Sequence, residues 1–367
     1  MSSIQEEISY MAQKVATAAC FALLRRPGSA TYEVLIGNER PERLSSLDDI
    51  GGKQGWIAAP FCTSTAAPII FFSPTVRESR SVLPLSDFST KDISVSAIRT
   101  EKEEKADYRR GFDLCLSKLK EGKVKKVVYA RRRQFELAVK ADTGVCIALF
   151  LKACALQRQS YVSMWSDGCG GYWIVSTPEV LLSGSPRDGF RTMALAGTML
   201  WSEAIGEVRW SAKNKEEQSL VAAYIRNRLE EIGCSSRLYG PYPVRAGNVA
   251  HLRTDISFKL PESVSPLDVV SALHPTPAVC GLPPVDAMAV IADAEDFQRR
   301  YYAGFSGLLD YEGSTDLYVS LRCMELSAGV ASLYAGGGLL AESYCEDEWT
   351  ETCRKMRAME QLLNYER

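Results

Sequence analysis

With 367 residues, 43 basic and 45 acidic side chains, the chain carries a net charge of −2, and the two signs are interspersed. That balance supplies neither the basic stripe of a nucleic-acid binder nor a like-charged tail, and no apolar run approaches the ~20 residues that span a bilayer. Met1–Glu7 is polar and acidic, unlike a secretory leader. The eleven cysteines lack a CxxC pair, and several (Cys20, Cys146, Cys154) sit among apolar neighbours, which fits reduced thiols and a cytoplasmic location. Two histidines, His251 and His274, leave little room for an imidazole-rich metal site. A bound metal would take oxygen ligands, which favours Mg²⁺.

In chain order, Ile4–Lys14 predicts an amphipathic helix. Cys20–Leu24, Tyr32–Ile36, Trp56–Phe61 and Pro68–Phe72 read as strands, and Ser73–Thr100 as a long polar connection. A helix over Lys102–Lys120 ends at Gly122. Lys125–Leu137 has strand composition, followed by a helix over Val145–Leu156 and strands near Tyr161–Trp165 and Tyr172–Ser176. Helices are expected over Trp210–Ile232, Val285–Arg300 and Glu346–Asn364. Strands are expected at Val249–Phe258, Leu317–Cys323 and Ala331–Tyr334. Strands cluster like hairpins instead of alternating with helices, which predicts an α+β fold with large antiparallel sheets.

Several clusters are chemically suggestive. Glu217 precedes the stripe Val221, Tyr224, Ile225 and Leu229 on the same helix face. A carboxylate buried there needs a partner, whereas one in a solvated first turn does not. Glu348, Glu351 and Lys355 follow at spacings of three and four. They suit either a hard cation and an anionic substrate group or ordinary surface pairing. Ala335–Gly338 after a strand could turn backbone N–H groups toward an anion, or make a tight turn. Arg322 could bind a carboxylate or serve a structural ion pair. Leu273–Pro283 holds His274, three prolines and a glycine, so it is neither ordinary helix nor central strand.

Taken in order, these pieces resemble the chorismate-utilising enzymes related to anthranilate synthase component I. The matching segments are Lys126-Val127-Val128-Tyr129-Ala130-Arg131, Ser176-Thr177-Pro178-Glu179, Leu195-Ala196-Gly197-Thr198, Lys213 through Glu217 and Val221, His251-Leu252, the His274 loop, Glu295 through Gly307 including Tyr302-Ala303-Gly304, Leu321-Arg322-Cys323, Leu333-Tyr334-Ala335-Gly336, and Glu348-Trp349-Thr350-Glu351-Thr352 with Lys355. They cover about residues 100–360. The resemblance implies one chorismate-utilising domain over 1–367, with a variable part at 1–95 and the motif-bearing core at 100–365.

Among these enzymes the chain is most similar to isochorismate synthases, isomerases that add water at C2 of chorismate as the C4 hydroxyl leaves. The resemblance then implies Lys126 as general base and Glu179 as general acid. Such roles require a lysine shifted down and a carboxyl shifted up from their ordinary ranges. It further implies Glu217 and Glu351, with Glu348 contributing, as Mg²⁺ ligands, and Gly197, Thr198, His274, Ala278, Arg322, Gly336 and Lys355 as substrate-binding. His274-Pro275-Thr276-Pro277-Ala278 favours water as nucleophile, since anthranilate synthases typically carry threonine at the position of Ala278. No glutaminase subunit is then expected, and a monomer is. The pathway would be menaquinone or, less simply, a siderophore or salicylate. A salicylate synthase and a non-catalytic chorismate-binding relative are the competing readings. Gln218, where many members have histidine, and Gly337, replacing a common alanine, depart from the pattern.

Overall fold

The structure, a computed structural model, describes residues 3–88, 93–139, 141–200, 210–246 and 249–365. Among these residues the strands form an eleven-stranded and a nine-stranded sheet. Every strand pair is antiparallel except Asn364–Tyr365 against Ser94–Ala97. The expected α+β architecture of large antiparallel sheets is what the chain adopts.

The sheets face each other, and strand periodicity shows how. On strand Cys20–Arg25, Ala22 and Leu24 join the core between the sheets, while Phe21 and Leu23 join a second core under the larger sheet. Tyr161 and Trp165 against Val162 and Met164 repeat the pattern on strand Tyr161–Ser166. Two apolar faces per strand make both sides of that sheet buried. Helices Ile4–Ala16 and Thr143–Leu156 cover its outer face, with Met11, Val15 and Phe150 in the second core.

Most expected elements form within a residue or two. Helix Glu101–Lys120 starts at a Thr100–Glu103 capping box. The Ser73–Thr100 connection instead contains strands Val76–Ser81 and Ser94–Ala97. Val76–Ser81 is an edge strand carrying Arg77, Glu78 and Arg80, and charge of that kind guards an edge while masking a strand signature. The expected Val285–Arg300 helix stops at Ala294, because Glu295 turns away to accept the Ala130 N–H at 2.8 Å and to pair with Arg299. Ala335–Gly338 is not a turn. Strand Val330–Leu339 runs straight through it, with Gly336 opposite Ala130 and Gly338 opposite Val128. Among the described residues no helix is long and apolar enough to cross a membrane, and all eleven cysteines are free.

The chain passes directly from one sheet to the other at two adjacent places. Pro178–Glu179 joins strand Tyr172–Thr177 of the larger sheet to Val180–Ser185 of the smaller. Ser320–Arg322 returns from Ser314–Val319 to Cys323–Ser327. Ser176 N–H donates to the Arg322 carbonyl at 3.2 Å, tying the two crossings together.

Candidate active site

Those crossings deliver a carboxyl and a guanidinium side by side. Glu179 and Arg322 line a cavity of about 70 Å³ together with Gly197, Glu217, His251, Ala278, Tyr302, Gly336, Glu351 and Lys355. A larger hollow of about 660 Å³ adjoins it, sharing Pro178, Leu195 and His251. Burial pushes the Glu179 carboxyl up to about 7, although Lys126, Lys355 and Arg322 all pull it down. A carboxyl so placed can hold a proton near neutrality and surrender it to a departing oxygen. Arg322 adopts φ 46°, a left-handed backbone that costs a residue with a side chain about 1 kcal/mol or more. Burial lowers its guanidinium to about 10, with Glu179 opposing, so it remains a cation.

Arg322 is aimed by His251. Its Nη2 donates to His251 Nε2 at 3.1 Å, and His251 Nδ1 donates to the Gly197 carbonyl at 3.2 Å. Burial, then Arg322 and Lys355, drop the imidazole to about 3, so His251 is neutral with its tautomer set by these two contacts. Gly197 occupies a bulge where pairing with strand Val249–Phe258 slips, at φ 74°. An added Cβ there would lie 3.1 Å from Asn214.

Lys126 opens strand Lys126–Leu137 and is wholly buried. Its ammonium nitrogen has no hydrogen-bond partner and lies 3.1 Å from Glu217 Oε1. The His274 loop fixes its backbone, since Gly281 and Leu282 pair with Val127 and Lys126, and Val128 N–H donates to the Cys280 carbonyl at 2.7 Å. A Cβ on Gly281 would collide with the Lys126 carbonyl. The buried Glu295–Arg299 pair clamps the same region, as Arg299 donates to the carbonyls of Val279 and Val128 at 2.7 and 2.6 Å.

Three carboxylates lie along the Gly337–Gly338 step. A Cβ on Gly337 would sit 2.9 Å from Glu348 Oε2 and 3.8 Å from Glu351 Oε1, and one on Gly338 would strike Glu217 Oε1 and approach Lys126 Cε to 2.9 Å. The bare backbone makes a cradle for these oxygens, and the all-carboxylate donor set suits a hard divalent cation. Among the described residues, however, no three potential ligands already gather about one point. Each carboxylate is turned to a lysine: Glu217 to Lys126, Glu348 to Lys213, and Glu351 to Lys355 at 2.7 Å. Ser343 also donates to Glu348 at 2.9 Å. Burial, and after it the charge of Glu351, raise the Glu348 carboxyl against the pull of Lys213 and Ser343, a strain that a divalent cation would relieve.

Gly338→Ala tests this packing. The methyl would displace Glu217 and Lys126, and an ångström of misplacement at reacting groups costs about a hundredfold. Steady-state kinetics should show kcat/KM down by about that factor; an unchanged value would mean the two side chains need not stand where they do.

Sequence and structure disagree about His274. Its Nε2 donates to the Pro60 carbonyl at 3.1 Å, its ring lies edge-on to Phe305 at 5.0 Å, and burial lowers it to about 4. It anchors the loop and does not line the cavity, whereas Ala278 does. Gly336 faces the cavity, but its carbonyl accepts from Lys355 at 2.8 Å. The Thr198 side chain lies outside the described residues. Lys126 and Glu348 stand just behind the lining, at the Gly337–Gly338 cradle. His251 and the Glu295–Arg299 pair fall within matching segments of the sequence, but residue types alone assign them no role. Beyond that likeness, the scarcity of histidine and the i, i+4 spacing of the pair are the signals that point to them.

Comparison with known proteins meets this geometry. Residues 58–364 match the family described as chorismate binding enzyme. Isochorismate synthase MenF of Bacillus subtilis is 31% identical over 292 residues, covering 77% of this chain and 60% of that protein. A MenF homologue of Mycobacterium tuberculosis is 31% identical over 328 residues, covering 84% and 86%. The chain thus spans well under two thirds of the Bacillus protein's length but most of the mycobacterial one. The solved menaquinone-specific isochorismate synthase MenF of Escherichia coli superposes with a TM-score of 0.80 at 24% identity, over 97% of this chain and 91% of that one, so the fold is shared. With many of the motif residues around one cavity and residues 58–364 matched, the chain belongs to the chorismate binding enzyme family.

Proposed function

We propose that this chain isomerises chorismate to isochorismate with Mg²⁺, as a cytoplasmic monomer serving menaquinone synthesis. The observation that carries the reading is Glu179, a buried carboxyl raised to about 7 and lining a cavity that Arg322 and Lys355 also line. Its relatives' names support the substrate.

In this reading Lys126 accepts a proton from water as the water oxygen bonds to ring C2. The ring electrons shift, and the C4–O bond breaks with Glu179 supplying the proton that lets the hydroxyl leave as water. Arg322 and Lys355 bind carboxylates, with His251 holding the Arg322 fork in place. Glu217, Glu351 and Glu348 would hold Mg²⁺, whose chemistry there is to neutralise and orient the ring carboxylate. Ala278 presents only a methyl to the cavity, and water as nucleophile requires no glutaminase partner.

Purified protein incubated with chorismate and Mg²⁺ should yield isochorismate, followed by chromatography, and chelation should stop it. Salicylate with pyruvate would replace this reading by a salicylate synthase. A folded protein giving no product at any Mg²⁺ concentration would leave a binding protein.

A further inference from the structure

Lys213 has no part in the chemistry above, yet it lies at a helix start and, like Lys355, keeps part of its side chain exposed beside the carboxylate group. It lies in the first turn of helix Ala212–Glu231 with its side chain 26% exposed, and it pairs with Glu348, whose side chain is 2% exposed. The other two lysines are committed elsewhere: Lys126 is wholly buried, and Lys355 also donates to the Gly336 carbonyl. Glu348, the partner of Lys213, lies at the Gly337–Gly338 cradle beside Glu351 and Glu217. The Lys213 ammonium therefore sits within the field of all three carboxylates.

Resting on the Mg²⁺ reading, we propose that Lys213 is a resident counter-ion of this site, a tethered monovalent cation that holds Glu348 in place and that an arriving divalent cation must displace. Three carboxylates left unpaired at close quarters would repel one another. A tethered ammonium relieves that repulsion at the expense of metal affinity, because it repels a dication. Having a long flexible stem and a nearby route to water, Lys213 can swing out, which neither Lys126 nor Lys355 can do without losing other contacts.

Mn²⁺ binding to the whole chain, followed by the electron paramagnetic resonance of free Mn²⁺, tests this independently of turnover. One charge a few ångströms from a dication changes affinity about tenfold even under water-like screening. Lys213→Met should therefore lower the Mn²⁺ Kd by about that factor, with Lys213→Ala as a second uncharged variant, while Lys213→Arg stays within about twofold of wild type. In chelator, Lys213→Met should melt below wild type and recover when Mn²⁺ saturates it. An unchanged or weakened Mn²⁺ affinity in both uncharged variants, with wild type binding normally, would overturn the proposal alone. Absence of Mn²⁺ binding in wild type, or binding indifferent to Glu351→Gln, would overturn the metal reading and the proposal with it.

Discussion

Lys126→Met should abolish turnover while leaving the protein folded. The variant keeps the length and apolar stem of the side chain, which is fully buried, so the core loses little packing. What disappears is the nitrogen 3.1 Å from Glu217 that has no hydrogen-bond partner. An amine with unused hydrogen-bonding capacity, just behind the cavity lining and fixed by the Gly281–Leu282 pairing, is equipped to exchange a proton with a small molecule. Losing a general base lowers the rate by about 10²–10⁴-fold. Single-turnover kinetics together with circular dichroism would check both halves, and wild-type-like turnover in the folded variant would remove Lys126 from the mechanism.

Glu179→Gln should lose activity on the same scale and gain stability on the alkaline side. The carboxyl rises from an ordinary 4.5 to about 7 in the folded chain because burial penalises its charged form. The folded state thus holds the proton more tightly than the unfolded one. That contribution to stability is complete below pH 4.5, declines as pH rises, and is lost once pH passes about 7. Glutamine cannot ionise and escapes the loss, which amounts to roughly 3 kcal/mol at pH 8. Melting temperatures of the two proteins should therefore diverge between pH 5 and 8 in favour of the variant. For the wild type, kcat/KM should fall on the alkaline limb near pH 7, as the acid loses its proton. Parallel melting curves and a flat alkaline limb would show that Glu179 is an ordinary ionised carboxylate.

How much of this was legible beforehand depended on the kind of signal. Helices with capping residues and apolar stripes, and strands with alternating burial, could be read directly, since local chemistry sets them. Val76–Ser81 could not, because an edge strand with three charged residues looks like a loop. Gly336–Gly338 suggested a turn, yet the missing Cβ atoms make room for Glu217, Glu348 and Lys126 to approach an extended strand. That reason is visible only once distant segments meet. The carboxylates and Lys355 were identifiable as a group from their spacing and family likeness, whereas their one-to-one pairing with lysines was not. His274 drew attention through rarity, and tertiary contact with Pro60 assigns it a structural task. His251, equally rare, turned out to face the cavity.

The segment from His274 to Leu282 is held at its two ends by groups that spare its middle. The imidazole grips Pro60 at one end, and backbone pairing with Lys126 and Val127 grips the other. Ala278, between them, contributes a side chain to the cavity without taking part in either attachment. A change at this one residue therefore alters the cavity wall while the anchors keep Lys126 in register.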